Sequence, residues 1–145
     1  MDTIKFAFFI SLLAISSSSF ACKEAALNED FPIKNFDTYG SIIIAKIDSS
    51  KHDEKYRYNP LVSFQATVLE SIKGELTVGD SFSGQAKKEV AHAVCPSQLD
   101  IGGVYLLALT SENDIYTLSR FSFPTKSEHV YFSKYISQIK AVLKK

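Results

Sequence analysis

Two cysteines and three histidines are the side chains of this 145-residue chain best suited to thiol or metal chemistry, and their spacing limits what they can do. Cys22 follows Ala21 at the end of Ser16-Ser17-Ser18-Ser19-Phe20-Ala21, and Cys95 stands before Pro96. His52, His92 and His129 are scattered, with no cysteine or carboxylate at the spacing of a zinc site. His92 lies three positions before Cys95, yet a cysteine held in a disulfide is no nucleophile. No G-x-S-x-G, P-loop or H-E-x-x-H pattern occurs, and Gly102-Gly103 before an apolar run reads as a turn. Asp30, Asp37, Asp53, Glu54, Asp80, Asp100 and Asp114 fall in expected loops, where solvated acids at turns are the simpler reading. The chain therefore reads as a non-enzyme, with no catalytic residue, no metal site of its own and no cofactor.

What Cys22 does depends on the residues before it. Lys5 precedes the apolar run Phe6 to Ile15, which is shorter than the ~20 residues a membrane span needs. Small residues at Ser19 and Ala21 fit a cleavage site, so residues 1 to 21 are expected to be a signal peptide and residues 22 to 145 one exported domain, periplasmic or extracellular. Outside the cytoplasm two cysteines tend to pair, giving a bond between Cys22 and Cys95 whose chain-entropy contribution is about 4 kcal/mol. Ser18-Ser19-Phe20-Ala21-Cys22 also satisfies a loose bacterial lipobox. In that alternative Cys22 is lipidated, Cys95 is a free thiol, and the protein is an envelope component of structural or scaffold type. Membrane attachment is expected only in that form.

Charge identifies no partner. Sixteen basic and sixteen acidic residues cancel, and the leader removes one of each, Lys5 and Asp2. No net field draws nucleic acid or an anionic membrane. Tyr56-Arg57-Tyr58 forms a short aromatic and basic cluster that loop packing explains as well as a protein contact does.

The elements that would position these residues are mostly strands. Ile42-Ile43-Ile44-Ala45-Lys46-Ile47 reads as a buried strand followed by a polar loop from Asp48 to Lys55. From Leu61 to Leu69, Val62, Phe64, Ala66 and Val68 alternate with Ser63, Gln65 and Thr67, the period of a half-buried strand. Lys73-Gly74-Glu75 turns the chain, and Leu76-Thr77-Val78 with Phe82 reads as a third strand interrupted at Gly79-Asp80. Residues 84 to 98 look irregular. Val104 to Leu109 is a continuous apolar run suited to a central strand, and Ile115 to Phe121 reads as its hairpin partner across the turn at Ser111-Glu112-Asn113-Asp114. Pro32 limits any helix in Lys23 to Asp37 to a turn.

After Glu128 the period changes. Val130, Tyr131, Tyr135, Ile136, Ile139, Val142 and Leu143 fall at helical spacing with lysines between them, so an amphipathic helix over about 127 to 144 is expected to cover the sheet. Five short strands in succession predict a mainly β fold, a five-stranded OB-type Greek-key barrel over about 38 to 123 with that helix C-terminal to it.

The order of these marks resembles the netrin-like domain shared with tissue inhibitors of metalloproteinases and small exported bacterial homologues. The likeness runs from Ala21-Cys22 through the Ile42 strand, Val68-Leu69-Glu70-Ser71-Ile72-Lys73-Gly74 and Cys95 to Gly103-Val104-Tyr105-Leu106-Leu107-Ala108. Family members usually begin Cys-x-Cys. Here Glu24 stands at the second cysteine, and its usual partner near Leu118-Ser119-Arg120 is missing too, so a whole bond is lost while Cys22 and Cys95 remain. The resemblance implies that the free amine and carbonyl of Cys22 chelate the zinc of a partner metalloprotease, with Cys22, Lys23 and Glu24 as the contacting edge. Lys23 would then have to enter or skirt the protease's specificity pocket. The expected partner is accordingly a protein, a zinc metalloprotease in the sharpest form of the reading.

Overall fold

A computed structural model describes residues 27–53, 61–87, 99–119, 121–122 and 124–145. Cys22, Lys23, Glu24, Tyr56, Arg57, Tyr58, His92 and Cys95 lie outside them, and with them the expected leader, disulfide, lipid site and protease-binding edge. The chain opens with a 3-10 turn, Ile33–Thr38, immediately after Pro32. Among the described residues six strands and a helix follow: β1 Ser41–Asp53, β2 Leu61–Lys73, β3 Ser81–Lys87, β4 Val104–Glu112, β5 Ile115–Leu118, β6 Thr125–Lys126 and α1 Phe132–Leu143.

The first five strands close a barrel of OB type. Their order is β1-β2-β3-β5-β4, and β4 returns to pair with β1 from Ser41↔Leu109 to Lys46↔Val104. Every neighbouring pair is antiparallel except β3 and β5, which run parallel at Gly84↔Tyr116 and Gln85↔Thr117. Closing so few strands needs strong coiling. Three register shifts in the β1–β2 ladder, the last between Ile47 and Ser49, supply it by bending and twisting the pair.

Two apolar cores share the same strands. Inside the barrel pack Ile43, Ala45 and Ile47 from β1, Val62, Phe64, Ala66 and Val68 from β2, Phe82 and Ala86 from β3, Tyr105, Leu107 and Leu109 from β4, and Leu118 from β5. Outside it, Ile42, Ile44, Leu106 and Ala108 meet Phe31, Tyr39, Tyr135 and Ile139 beneath the helix. Alternation along a strand sends neighbours to opposite faces, so Ile42 to Ala45 of β1 and Tyr105 to Leu109 of β4 are apolar at every position because each face has its own core there. On α1, Phe132, Tyr135, Ile136 and Ile139 follow the i, i+3, i+4, i+7 spacing of a single covered stripe.

Several boundaries differ from the sequence expectation, among them β5, which ends at Leu118 where Phe121 was expected. β1 continues to Asp53, where a loop from Asp48 was expected, because its polar half still pairs with β2 from Ser49↔Gln65 to Asp53↔Leu61. Leu76–Val78 is not strand: the Thr77 amide and hydroxyl both donate to Asp80 Oδ2, at 2.7 and 3.0 Å, and fold that stretch into a turn. The third strand instead runs to Lys87, through residues expected to be irregular. Finally, β6 adds a two-residue pairing to β4 beyond the expected end of the barrel, and the helix starts at Phe132 rather than 127.

The turn after β2 requires its glycine. Gly74 has φ of +103°, and a Cβ there would sit 2.4 Å from Ser41 Oγ and 2.5 Å from the Gly40 carbonyl oxygen. Gly84 is needed for a different reason: it faces Phe64 across the β2–β3 ladder, and a Cβ would meet the ring at 2.3 Å. The Phe64 side chain fills the volume that Gly84 leaves, an aromatic-over-glycine pair inside the barrel. Gly84→Ala should therefore cost about 1–3 kcal/mol by overpacking, measured as a shift in urea midpoint. The same substitution in a Phe64→Leu background should cost markedly less, since the colliding ring is gone.

Candidate functional site

The described chain begins just downstream of Cys22, and its first residues are fastened to α1. Tyr135 donates its hydroxyl proton to the Asn28 carbonyl. The Phe31 amide donates to Gln138 Oε1 at 2.9 Å, and Gln138 Nε2 donates to Asp30 Oδ1 at 2.6 Å. Lys134 Nζ bridges Glu29 and Asp30 at 3.1 and 3.2 Å. Beneath these polar contacts the buried Phe31 ring stands edge-on to Tyr39 and Tyr135, with centroids 5.7 and 5.5 Å away. Helix period explains the grouping, since Lys134, Tyr135 and Gln138 lie on one side of α1.

Proton affinities around this clamp follow from their neighbours. The Gln138 hydrogen bond, then Lys134, holds Asp30 below its ordinary 3.8. The hydrogen bond to Glu29, reinforced by Asp30, raises Lys134. Burial pushes the Tyr39 hydroxyl up to about 12, and that group donates to the Pro32 carbonyl at 3.1 Å. Burial likewise raises Tyr135. At the other end of β4, the hydrogen bond from Lys126 lowers Asp100, and the same contact raises Lys126. Each displaced group here is accounted for by a hydrogen-bonded partner or by burial.

A second feature lies on strand faces the helix does not cover. A groove of about 400 Å³ crosses β1, β2, β3 and the β4–β5 turn. Its polar lining comes from Ser49 and Lys51, Ser63 and Gln65, Ser83 and Gln85, with Asp114 and Ile115 at the turn. Asn113 and Asp114 both take positive φ, 51° and 62°, as a two-residue hairpin of type I′ requires. This geometry sets Asp114 at the end of the groove.

No family model and no curated protein matches the chain. What the site can do must therefore be read from its own geometry. Among the described residues, no group of three or more His, Cys, Asp and Glu is placed to hold a metal ion. No helix among them is long and apolar enough to cross a membrane. Of the histidines, His129 accepts the Tyr131 amide on Nδ1 at 3.2 Å just before α1, and the backbone at His52 is strand rather than loop. Nucleophile-and-base chemistry has no constellation here: the groove offers hydroxyls, carboxamides, one ammonium and one carboxylate. The groove residues went unremarked in the sequence because Ser63 and Gln65 read only as the solvent side of an alternating strand.

The clamp has a direct test. Gln138→Ala should speed hydrogen exchange at the Phe31 amide about fivefold at neutral pH, the effect of losing roughly 1 kcal/mol of hydrogen bonding, while core amides of β2 stay unchanged. Asp30 adds a pH dependence of defined sign. Its folded pKa is depressed, so its contribution is complete above 3.8 and is lost as pH falls through the lowered value. Carboxyl NMR titration should accordingly show Asp30 protonating later on acidification than an unpaired aspartate.

Proposed function

We propose that the chain is an exported binding domain that works by contact, without chemistry of its own, presenting a mature amino terminus at Cys22 to a zinc metalloprotease. The observation that supports this reading is the clamp on α1. An amino-terminal wedge binds well only if little is lost in ordering it, so it needs a rigid anchor close behind it. Asn28 to Phe31 are held by Tyr135, Gln138 and Lys134 and by the Phe31 ring. Six residue steps separate Cys22 from Asn28, so the terminus stands no more than about 20 Å from that anchor. The proposed disulfide to Cys95 would shorten the free length further.

In this reading the neutral α-amine and the carbonyl oxygen of Cys22 ligate the zinc and displace the water that an open catalytic site holds. Lys23 and Glu24 flank the chelating residue. The resemblance to the netrin-like domain, proposed from the order of sequence marks, points the same way, as does the OB-type barrel with its helix.

The test begins with the intact mass of the mature protein and continues with a panel of zinc proteases. A soluble species starting at Cys22, lighter by two hydrogens than its reduced form, should slow at least one protease at micromolar concentration. One alanine added ahead of Cys22 should abolish that effect while leaving the fold intact. No slowing by the correctly processed, oxidised protein would overturn inhibition. A mass heavier by a diacylglycerol unit would make Cys22 an envelope anchor instead.

A further inference from the structure

The groove on the uncovered face has an order that no single strand reveals. Ser49 pairs with Gln65, and Gln65 with Ser83; Lys51 pairs with Ser63, and Ser63 with Gln85. Residues in register share a face, so these six form two rows running across the strands. Within a row neighbours are about 4.8 Å apart, and the two rows are separated by about 6.8 Å along the strands. Beneath them Phe64, only 2 % exposed, and Gly84 close the barrel wall.

The polar groups of these rows are uncommitted. Ser49, Lys51, Ser63, Gln65, Ser83 and Gln85 make no side-chain hydrogen bond or ion pair with another described residue. Several polar groups elsewhere on the surface are engaged: Thr67 donates to Asp48 at 2.7 Å, and Lys140 pairs with Glu70 and Lys126 with Asp100, both at 2.9 Å. Solubility alone does not call for a patch built this way, since charged side chains serve that end better than serines and glutamines.

We propose that this groove binds an extended, neutral glycan chain, a site separate from the amino-terminal edge. Hydroxyls and carboxamides both donate and accept, which matches sugar hydroxyls that do the same. The repeat within a row is close to the length of one pyranose residue in an extended chain, so successive sugars meet successive strands. An extended peptide laid across the strands repeats its same-face side chains at about 6.8 Å and falls out of step with the rows. A nucleic acid needs cationic tracking of phosphates and aromatic platforms, and the groove carries one ammonium, Lys51, offset by one carboxylate, Asp114. Ile115, 45 % exposed at the groove's edge, gives the C–H face of a sugar an apolar contact.

The measurement is amide NMR of the full mature chain titrated with cellohexaose and chitohexaose, and in parallel with a short oligo-dT strand and an uncharged serine-rich peptide. One of the two glycans should give saturable shifts at millimolar concentration, confined to residues 49 to 51, 63 to 65, 83 to 85 and 114 to 115. Gln65→Ala with Gln85→Ala should weaken binding about tenfold or more with the spectrum otherwise preserved, because both side chains sit on an open face. Gln138→Ala, on the helix side, should bind as the parent does. Absence of shifts with either glycan, shifts mapping to another face, or undiminished binding by the double variant would overturn the proposal. So would binding of the peptide or the oligonucleotide in place of the glycans.

Discussion

The architecture depends on β1 being buried on both faces near its start and on one face beyond it. From Ile42 to Ala45 its side chains alternate between the barrel interior and the space beneath α1. Each isoleucine so covered is stabilising by about 1.5–3 kcal/mol relative to exposure, so losing the helix would strand Ile42 and Ile44 together with Leu106 and Ala108 of β4. The helix is therefore an integral second layer. Past Ala45 the outward side chains of β1 are polar and exposed, Lys46, Asp48, Ser49 and Lys51 among them. One part of the barrel surface is thus covered by the helix and another is open to solvent.

That division explains which elements were readable from the chain. β2 alternates cleanly because its inner face, Val62, Phe64, Ala66 and Val68, has a core while Ser63 and Gln65 face water. The runs in β1 and β4 are continuous because both faces are covered. The missed parts, the second half of β1 and most of β3, fail for a specific reason. Their inward positions include Ser50 and Gly84, small residues on either side of Phe64 in the ladder, so the large ring supplies the core volume that their own strands lack. Hydrophobic period within one strand cannot register a volume contributed by the next.

Strand order lies still further from the residues. Parallel pairing of β3 with β5 rests on Gly84↔Tyr116 and Gln85↔Thr117 alone, too short a match for any local pattern. The sites divide in the same way. Cys22 and Cys95 were conspicuous as the two thiols, Lys23 and Glu24 only through the resemblance, and all four lie outside the described residues. The rows of the groove carry no motif, since serine and glutamine are ordinary on any strand. Only register across three strands turns them into a repeating surface.

The two proposed contacts use different physics. The proposed amino-terminal edge would rely on rigidity: the clamp on α1 orders Asn28 to Phe31, so less entropy would remain to be lost when the residues ahead of them bind. The groove relies on repetition. Each neutral hydrogen bond contributes only about 1 kcal/mol net, so one serine or glutamine recognises nothing, whereas a row in step with a polymer adds such terms along its length. An exposed row of mainly neutral groups, its one ammonium offset by Asp114, carries no desolvation penalty while empty and little long-range field to attract competing polyanions, consistent with a chain whose sixteen positive and sixteen negative residues cancel. A barrel covered by a helix on one side and polar on the other could hold a polymer on the open face without disturbing the packing that fastens Asn28 to Phe31.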